Sequence, residues 1–168
     1  MRVDSFQFLP RSFRPMYENP PRLAGEDEPV WAPFEPRLAD ARIALVTSAG
    51  LFVNATQEPF DADRERANPY WGDPTWRAIP DGIESADLAM THLHVNNADV
   101  LADHDIALPT HVLADLVADG VVGSSTAEHA SVMGFQEAGL DVWRSQTAPE
   151  IAARLRDHGA DGVVLAPV

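Results

Sequence analysis

Beyond residue 40 the chain alternates between two kinds of hydrophobic pattern. In ARIALVTSAGLFV, Ile43 to Val46 form a short, partly β-branched apolar run, and TSAG supplies a turn after it. That combination predicts a strand ending in a tight exit. LAMTHLHV, residues 88–95, alternates well enough to predict another strand. In PTHVLADLVADG, Val112, Leu113, Leu116 and Val117 share one helical face and Gly120 stands at the end, so a short amphipathic helix is expected. VVG at 121–123 reads as a short strand. STAEHASVMGFQEAG opens with Ser125 and Glu128 at capping-box spacing and closes at Gly139, which predicts a helix. LDVWRSQ, residues 140–146, reads as a strand. TAPEIAARLRDHG reads as a helix, with Thr147 and Glu150 at its start, Ile151 and Leu155 one turn apart and Gly159 at its end. DGVVLAPV reads as a last, buried strand.

Strand and helix patterns in alternation indicate an α/β fold over residues 41–168: three layers, with a mostly parallel sheet and helices on both faces. Residues 1–40 are different. Half of the 14 prolines fall in the first 36 residues, which predicts an extended, irregular arm. Its aromatics Phe13, Tyr17, Trp31 and Phe34 argue for an arm laid over the domain or over a neighbouring subunit, and so for a homo-oligomer. A second irregular stretch, Asn54 to Pro80, is long enough for a functional loop.

Composition narrows the function classes. The 168 residues are 45% apolar and 23% charged, ordinary values for one globular domain. A net charge of −14 repels phosphate backbones and anionic lipid, which argues against nucleic-acid and membrane-surface partners. No apolar stretch approaches the roughly 20 residues of a spanning helix, and the N-terminus lacks the pattern of a signal peptide, which points to the cytoplasm. There is no cysteine, so these residues hold no thiol nucleophile, thiolate metal site or disulfide.

Three stretches carry candidate chemistry. In THLHVNNADV, His92 and His94 sit at i and i+2 and would share one face of a strand. Such a pair can move protons near neutral pH or hold a divalent metal such as zinc, with Asp99 or Asp103 orienting an imidazole. His104 or His129 would supply a third ligand. The plainer reading is a set of polar residues at a strand end, bonded to backbone and water. In VTSAGL, Thr47, Ser48 and the Gly50 turn offer hydroxyls and backbone N–H groups for a carboxylate, or simply a satisfied turn. In GDPTWRAIP, Arg77 offers a fork for a small anionic substrate, although pairing with Asp73 is the stronger alternative. His129 is an even choice between solvent and a substrate site, and Met133 belongs to the core. No P-loop, dinucleotide fingerprint, HExxH, EF-hand or nucleophile elbow occurs.

Taken in order, ARIALVTSAGLFV, DPTWRAIP, HLHV, LADLVADGVVG, SVMGF and GADGVVLAPV resemble the selenoprotein B family of glycine, sarcosine, betaine and D-proline reductases, over roughly residues 30–168. The resemblance implies an oxidoreductase that cleaves a C–N bond of a small amino acid or amine reductively. A selenocysteine or cysteine attacks, a second cysteine two residues later closes a selenide–sulfide or disulfide, and a partner subunit carries an activating pyruvoyl group. It also implies that His92, His94 and Asp99 serve as proton-transferring and orienting groups, with Thr47, Ser48 and Gly50 at the substrate. The family's redox motif would follow directly after DGVVLAPV, and it is not among these residues. Three readings follow: a chain cut short at a selenocysteine codon, a cysteine-free enzyme using its histidines or a metal for lyase, isomerase or hydrolase chemistry, or a non-catalytic subunit of a thiol- or selenol-bearing partner.

Overall fold

The computed structural model describes residues 32–68, 71–93, 95–134 and 140–168. The chain divides into Met1–Pro33 and Phe34–Val168, and the fold below is that of the second unit. Most of the arm expected over residues 1–40 therefore lies outside the described residues.

The central strand β1, Arg42–Thr47, is the run picked out by its apolar pattern. It is followed by β2 (Leu51–Val53), helix α1 (Ala62–Ala67), β3 (Trp76–Pro80), β4 (Leu88–Met90), α2 (Asn97–Ala102) and α3 (Thr110–Ala118). Then come β5 (Ser124–Ser125), β6 (Glu128–Val132), α4 (Ala148–Asp157) and β7 (Gly162–Ala166). The main sheet has four lanes: β7, β1, the consecutive pair β5 and β6, and β3. Strands β5, β6 and β7 run parallel to β1, and β3 runs antiparallel to β6, so the sheet is mixed. Strands β2 and β4 form a separate antiparallel pair.

Alternation along β1 divides the core. Ile43 and Leu45 face a cluster that includes Leu51, Ile79, Leu88, Met90, Val100 and Leu113, so the small β2–β4 sheet, α2 and α3 cover that side. Ala44 and Val46 face the other way, with Ala130 and Val132, against Ile151 and Leu155 of α4. The three-layer α/β arrangement follows from this period of two. Helix α4 is fixed further by Arg154, whose guanidinium donates to both Glu128 oxygens at 2.8 and 2.9 Å.

Several elements differ from their sequence patterns. Residues 128–132 form a strand and not a helix. Ser125 donates to Asp81 Oδ1 instead of capping, and its spacing to Glu128 fits a strand pair equally well. Residues 140–147 are helical, as Leu140–Val142 and a π-type stretch Trp143–Thr147 that runs into α4. Trp143 there packs against the α4 cluster, a contact that an extended reading of LDVWRSQ misses. Thr147 donates to Pro74 O and does not cap α4. The long irregular stretch contains α1 and β3, the strand expected at 88–95 stops at Met90, and the one expected at 121–123 falls at Ser124–Ser125. Strand β7 is formed as expected, but Val163, Val164 and Leu165 are exposed and not buried, so neither face of this outer lane is fully covered among the described residues.

Between β5 and β6 the register shifts. Ile43 faces Ser125, whereas Val46, three residues on, faces Ala130, five on. The two extra residues form a bulge. Thr126 fills part of it, donating its N–H to Ile43 O at 3.0 Å and its hydroxyl to Glu128 O at 2.7 Å. His129 fills the rest: its Nδ1 accepts the N–H of Leu45 at 3.2 Å. A backbone N–H only donates, so the ring proton sits on Nε2, 3.1 Å from Asp81 Oδ1.

Burial lowers the pKa of His129, and Asp81 opposes that shift only in part. The folded ring stays neutral while the unfolded one takes up a proton near pH 6.5. Native stability is therefore intact above that value and falls as pH drops through it toward the lower folded value. Urea unfolding between pH 7.5 and 5.5 should show this fall. His129→Gln, which can accept from Leu45 and donate to Asp81, should flatten the slope, and an unchanged slope would remove His129 from this role.

Candidate functional site

Strands β1 and β6 are parallel neighbours. Strand β1 leads into the β2–β4 layer on one face, and the next helical stretch described after β6, from Leu140 on, packs with α4 on the other. In α/β sheets that divergence opens a crevice beyond the strands' carboxyl ends, where ligands bind. The residues at this end are Ser48, the 91–93 turn, Gly134 and the tail of β7.

Gly50 sets the geometry there. Its φ of +67° lies in the left-handed region, its N–H donates to Val132 O at 2.9 Å, and its carbonyl accepts from Thr91 N at 3.0 Å. A Cβ at this position would lie 2.2 Å from Thr91 O and 2.6 Å from Met133 Sδ. Only glycine fits. The clamp brings the His92 turn against the end of β6.

Around Gly134 the approach is also close. A Cβ there would meet Ser48 O at 3.1 Å, His92 Nε2 at 3.2 Å and Ser48 Oγ at 3.3 Å. Ser48 Oγ in turn accepts the N–H of Val168 at 2.9 Å. Thus the β1 exit, the buried His92 ring, the β6 exit and the β7 tail converge within a few ångströms. Asn97 holds the turn from below: with its amide nitrogen toward two carbonyls, it donates to His92 O at 3.0 Å and Val95 O at 3.1 Å.

One row of paired residues crosses the sheet at this end: Ala166, Thr47, Ser131 and Arg77. Thr47 and Ser131 are fully buried. Thr47 Oγ1 accepts from Ala49 N at 3.2 Å, while Ser131 Oγ has no hydrogen-bond partner among the described residues.

The other expected site residues fall elsewhere. His94 lies outside the described residues, so its pairing with His92, and a metal between them, has no geometry here. Asp99 sits in the first turn of α2 and accepts from Asn96 Nδ2 at 2.7 Å, a helix-start contact and not one with His92. Arg77 is a clamp for the preceding loop. It donates to Glu58 O at 2.8 Å, Pro59 O at 3.2 Å, Thr75 Oγ1 at 2.8 Å and Trp76 O at 3.0 Å, and it lies 4.3 Å over the Phe60 ring. Desolvation by burial lowers its pKa. His129 has both ring nitrogens engaged in the bulge. The turn's N–H groups are engaged too: Ser48 with Ala166 O, Ala49 with Thr47 and Gly50 with Val132 O. A substrate at this end would therefore meet no backbone nest, and it would have to displace the Ser48 hydroxyl from Val168 O, to which it donates at 3.4 Å.

Of the expected residues, the structure brings together Ser48, Gly50 and His92, with Thr47 beneath them. Gly134 and Asn97 are the additions. The NN pair after the histidines was the only hint of Asn97, and the glycine of SVMGF the only hint of Gly134.

No protein-family model matches the chain, and no solved structure matches it. Among curated proteins, D-proline reductase subunit gamma of Acetoanaerobium sticklandii is 31% identical over 139 residues, covering 82% of this chain. The chain is similar to that reductase subunit. It spans about half the length of that relative, 52%. No helix among the described residues is long and apolar enough to cross a membrane.

The glycines here separate by surroundings. Gly82 also has a positive φ, +69°, but nothing lies near its missing Cβ. Gly82→Ala should cost about 1 kcal/mol from backbone strain alone, whereas Gly50→Ala should cost about 3 kcal/mol or more by steric overlap. Ser131→Ala should leave stability within about 1 kcal/mol of the parent or raise it, because it removes an unpaired buried hydroxyl. Chemical denaturation of the three variants checks all of these, and equal losses for Gly50→Ala and Gly82→Ala would refute the close-packed clamp.

Proposed function

We propose that this chain supplies the substrate seat of a reductase that cleaves a C–N bond of a small amino acid or amine, working in an assembly with other subunits. The observation that carries the reading is the convergence of Ser48, His92 and the β7 tail beyond the carboxyl ends of β1 and β6. The relationship to a D-proline reductase subunit supports it.

In this reading the Ser48 hydroxyl holds a polar group of the substrate, and His92 gives the departing nitrogen its proton. Its imidazole suits that work near neutral pH. The two electrons come from a thiol–thiol or selenol–thiol pair that ends as a disulfide or selenide–sulfide, and the protons this pair releases balance the new C–H bond and the proton that His92 gives to nitrogen. With no cysteine among these 168 residues, that pair comes from outside them, on this polypeptide or on a partner. Subunit partnership is part of the proposal, since the relative is itself named as one subunit.

Calorimetric titration with D-proline, glycine, sarcosine and betaine, on the chain alone and copurified with its native partners, tests the seat. Binding of at least one of these is expected, weakened about 10-fold or more by Ser48→Ala, which removes a hydrogen bond to the ligand. His92→Gln should slow turnover of the assembled enzyme by about 100-fold or more with little change in affinity. Absence of binding in both preparations, or binding indifferent to Ser48→Ala, would overturn the reading.

A further inference from the structure

Away from this crevice, the turn between α2 and α3 and the first turn of α3 gather three metal-ligating side chains. His104, Asp105 and His111 each present a donor atom, and all three atoms lie within 4.8 Å of one another. We propose that these residues form a binding site for a divalent transition metal of the zinc class, with His104 Nε2, the Asp105 carboxylate and His111 Nδ1 as ligands.

The donor set suits such an ion: two imidazoles and one carboxylate, as in many zinc sites that keep a further position for water or another side chain. Bonds of about 2.0–2.1 Å to a tetrahedral ion place donors roughly 3.3 Å apart. Asp105 Oδ2 and His111 Nδ1 are already 3.1 Å apart, and Asp105 Oδ1 lies 3.9 Å from His104 Nε2. Asp105 is further held by the His111 backbone N–H, which donates to Oδ1 at 3.0 Å, so carboxylate and second imidazole move together. His104 is fully buried and fixed, whereas the His111 side chain is 47% exposed and free to close the remaining gap. Glu84 Oε2 stands 3.9 Å from His111 Nε2 on an exposed side chain, within reach as a fourth group.

The surroundings of His104 supply the orientation that a ligating imidazole needs. Ser85 Oγ lies 2.7 Å from Nδ1 and can accept its proton, and the same oxygen accepts the His104 backbone N–H at 3.2 Å. A hydroxyl holding Nδ1–H leaves the lone pair on Nε2, the outer-shell pattern of metal-bound histidines. Thr110 Oγ1 lies 2.7 Å from Nε2, and an ion bound there displaces that hydrogen bond. Binding would pin the 84–85 turn to the start of α3, so its consequence is structural. The site is independent of the reading of Ser48 and His92.

Chelator-treated protein titrated with Zn²⁺ by calorimetry, and with Co²⁺ by visible absorption, tests the site. One ion per chain is expected, with the intense d–d bands of low-coordinate cobalt and a raised melting temperature. His111→Ala, at the surface, and Asp105→Ala, at a partly buried side chain, should each weaken Zn²⁺ binding by about 100-fold or abolish it. Ser85→Ala should weaken it by about 10- to 100-fold while leaving the stoichiometry unchanged. No saturable binding, weak binding of several ions to the acidic surface, or one-to-one binding indifferent to both ligand substitutions would each overturn the proposal.

Discussion

The site depends on two hydrogen bonds made by one residue. Gly50 donates to Val132 at the end of β6 and accepts from Thr91 at the end of the β2–β4 layer. It can do both because its positive φ turns the chain sharply as it leaves β1. Through that turn the two layers of the fold meet at one corner. Ser48, His92 and Gly134 are brought together as a consequence, each from a different segment. Remove the turn, and the elements have no shared edge at which to form a crevice.

A second local device keeps the sheet intact below that corner. The bulge between β5 and β6 would leave the Leu45 N–H without a strand partner, deep in the core, where an unpaired donor costs about 1–3 kcal/mol. His129 reaches in and accepts it, with Asp81 fixing the tautomer. An imidazole is thus used as a piece of sheet. The pairing lets β6 shift its register, which places Ser131 beside Thr47 and Val132 within reach of Gly50.

The sequence was informative where burial follows a regular pattern. Helix α4, with Ile151 and Leu155 buried one turn apart, follows its hydrophobic period, and β1, packed on both faces, shows as a continuous apolar run. In α3 the expected face holds only in part, since Leu113 is buried but Val112 and Leu116 are exposed. The segment 128–132 departs from its expected pattern, since small residues such as Ala130 and Ser131 suit a buried strand and a helix alike. LDVWRSQ fails for a related reason: Leu140 and Val142 alternate with polar residues, yet Trp143 anchors the stretch as helix against α4. At the site, Ser48 and His92 stood out by residue type. Gly134 and Asn97 did not, because their contributions are an absent Cβ and two bonds to backbone carbonyls, which only the fold assembles. Arg77 and His129 stood out equally, and their partners turned out to be carbonyls and a sheet N–H.

The central claim is that a small amino acid or amine sits where β1, β6 and β7 end. Backbone amide NMR of the labelled protein, titrated with D-proline and with betaine, tests this most directly. The account predicts saturable shifts of the Ser48, His92, Gly134 and Val168 amides, with the α3 and α4 amides unmoved. Saturable shifts confined to residues away from this corner would contradict it.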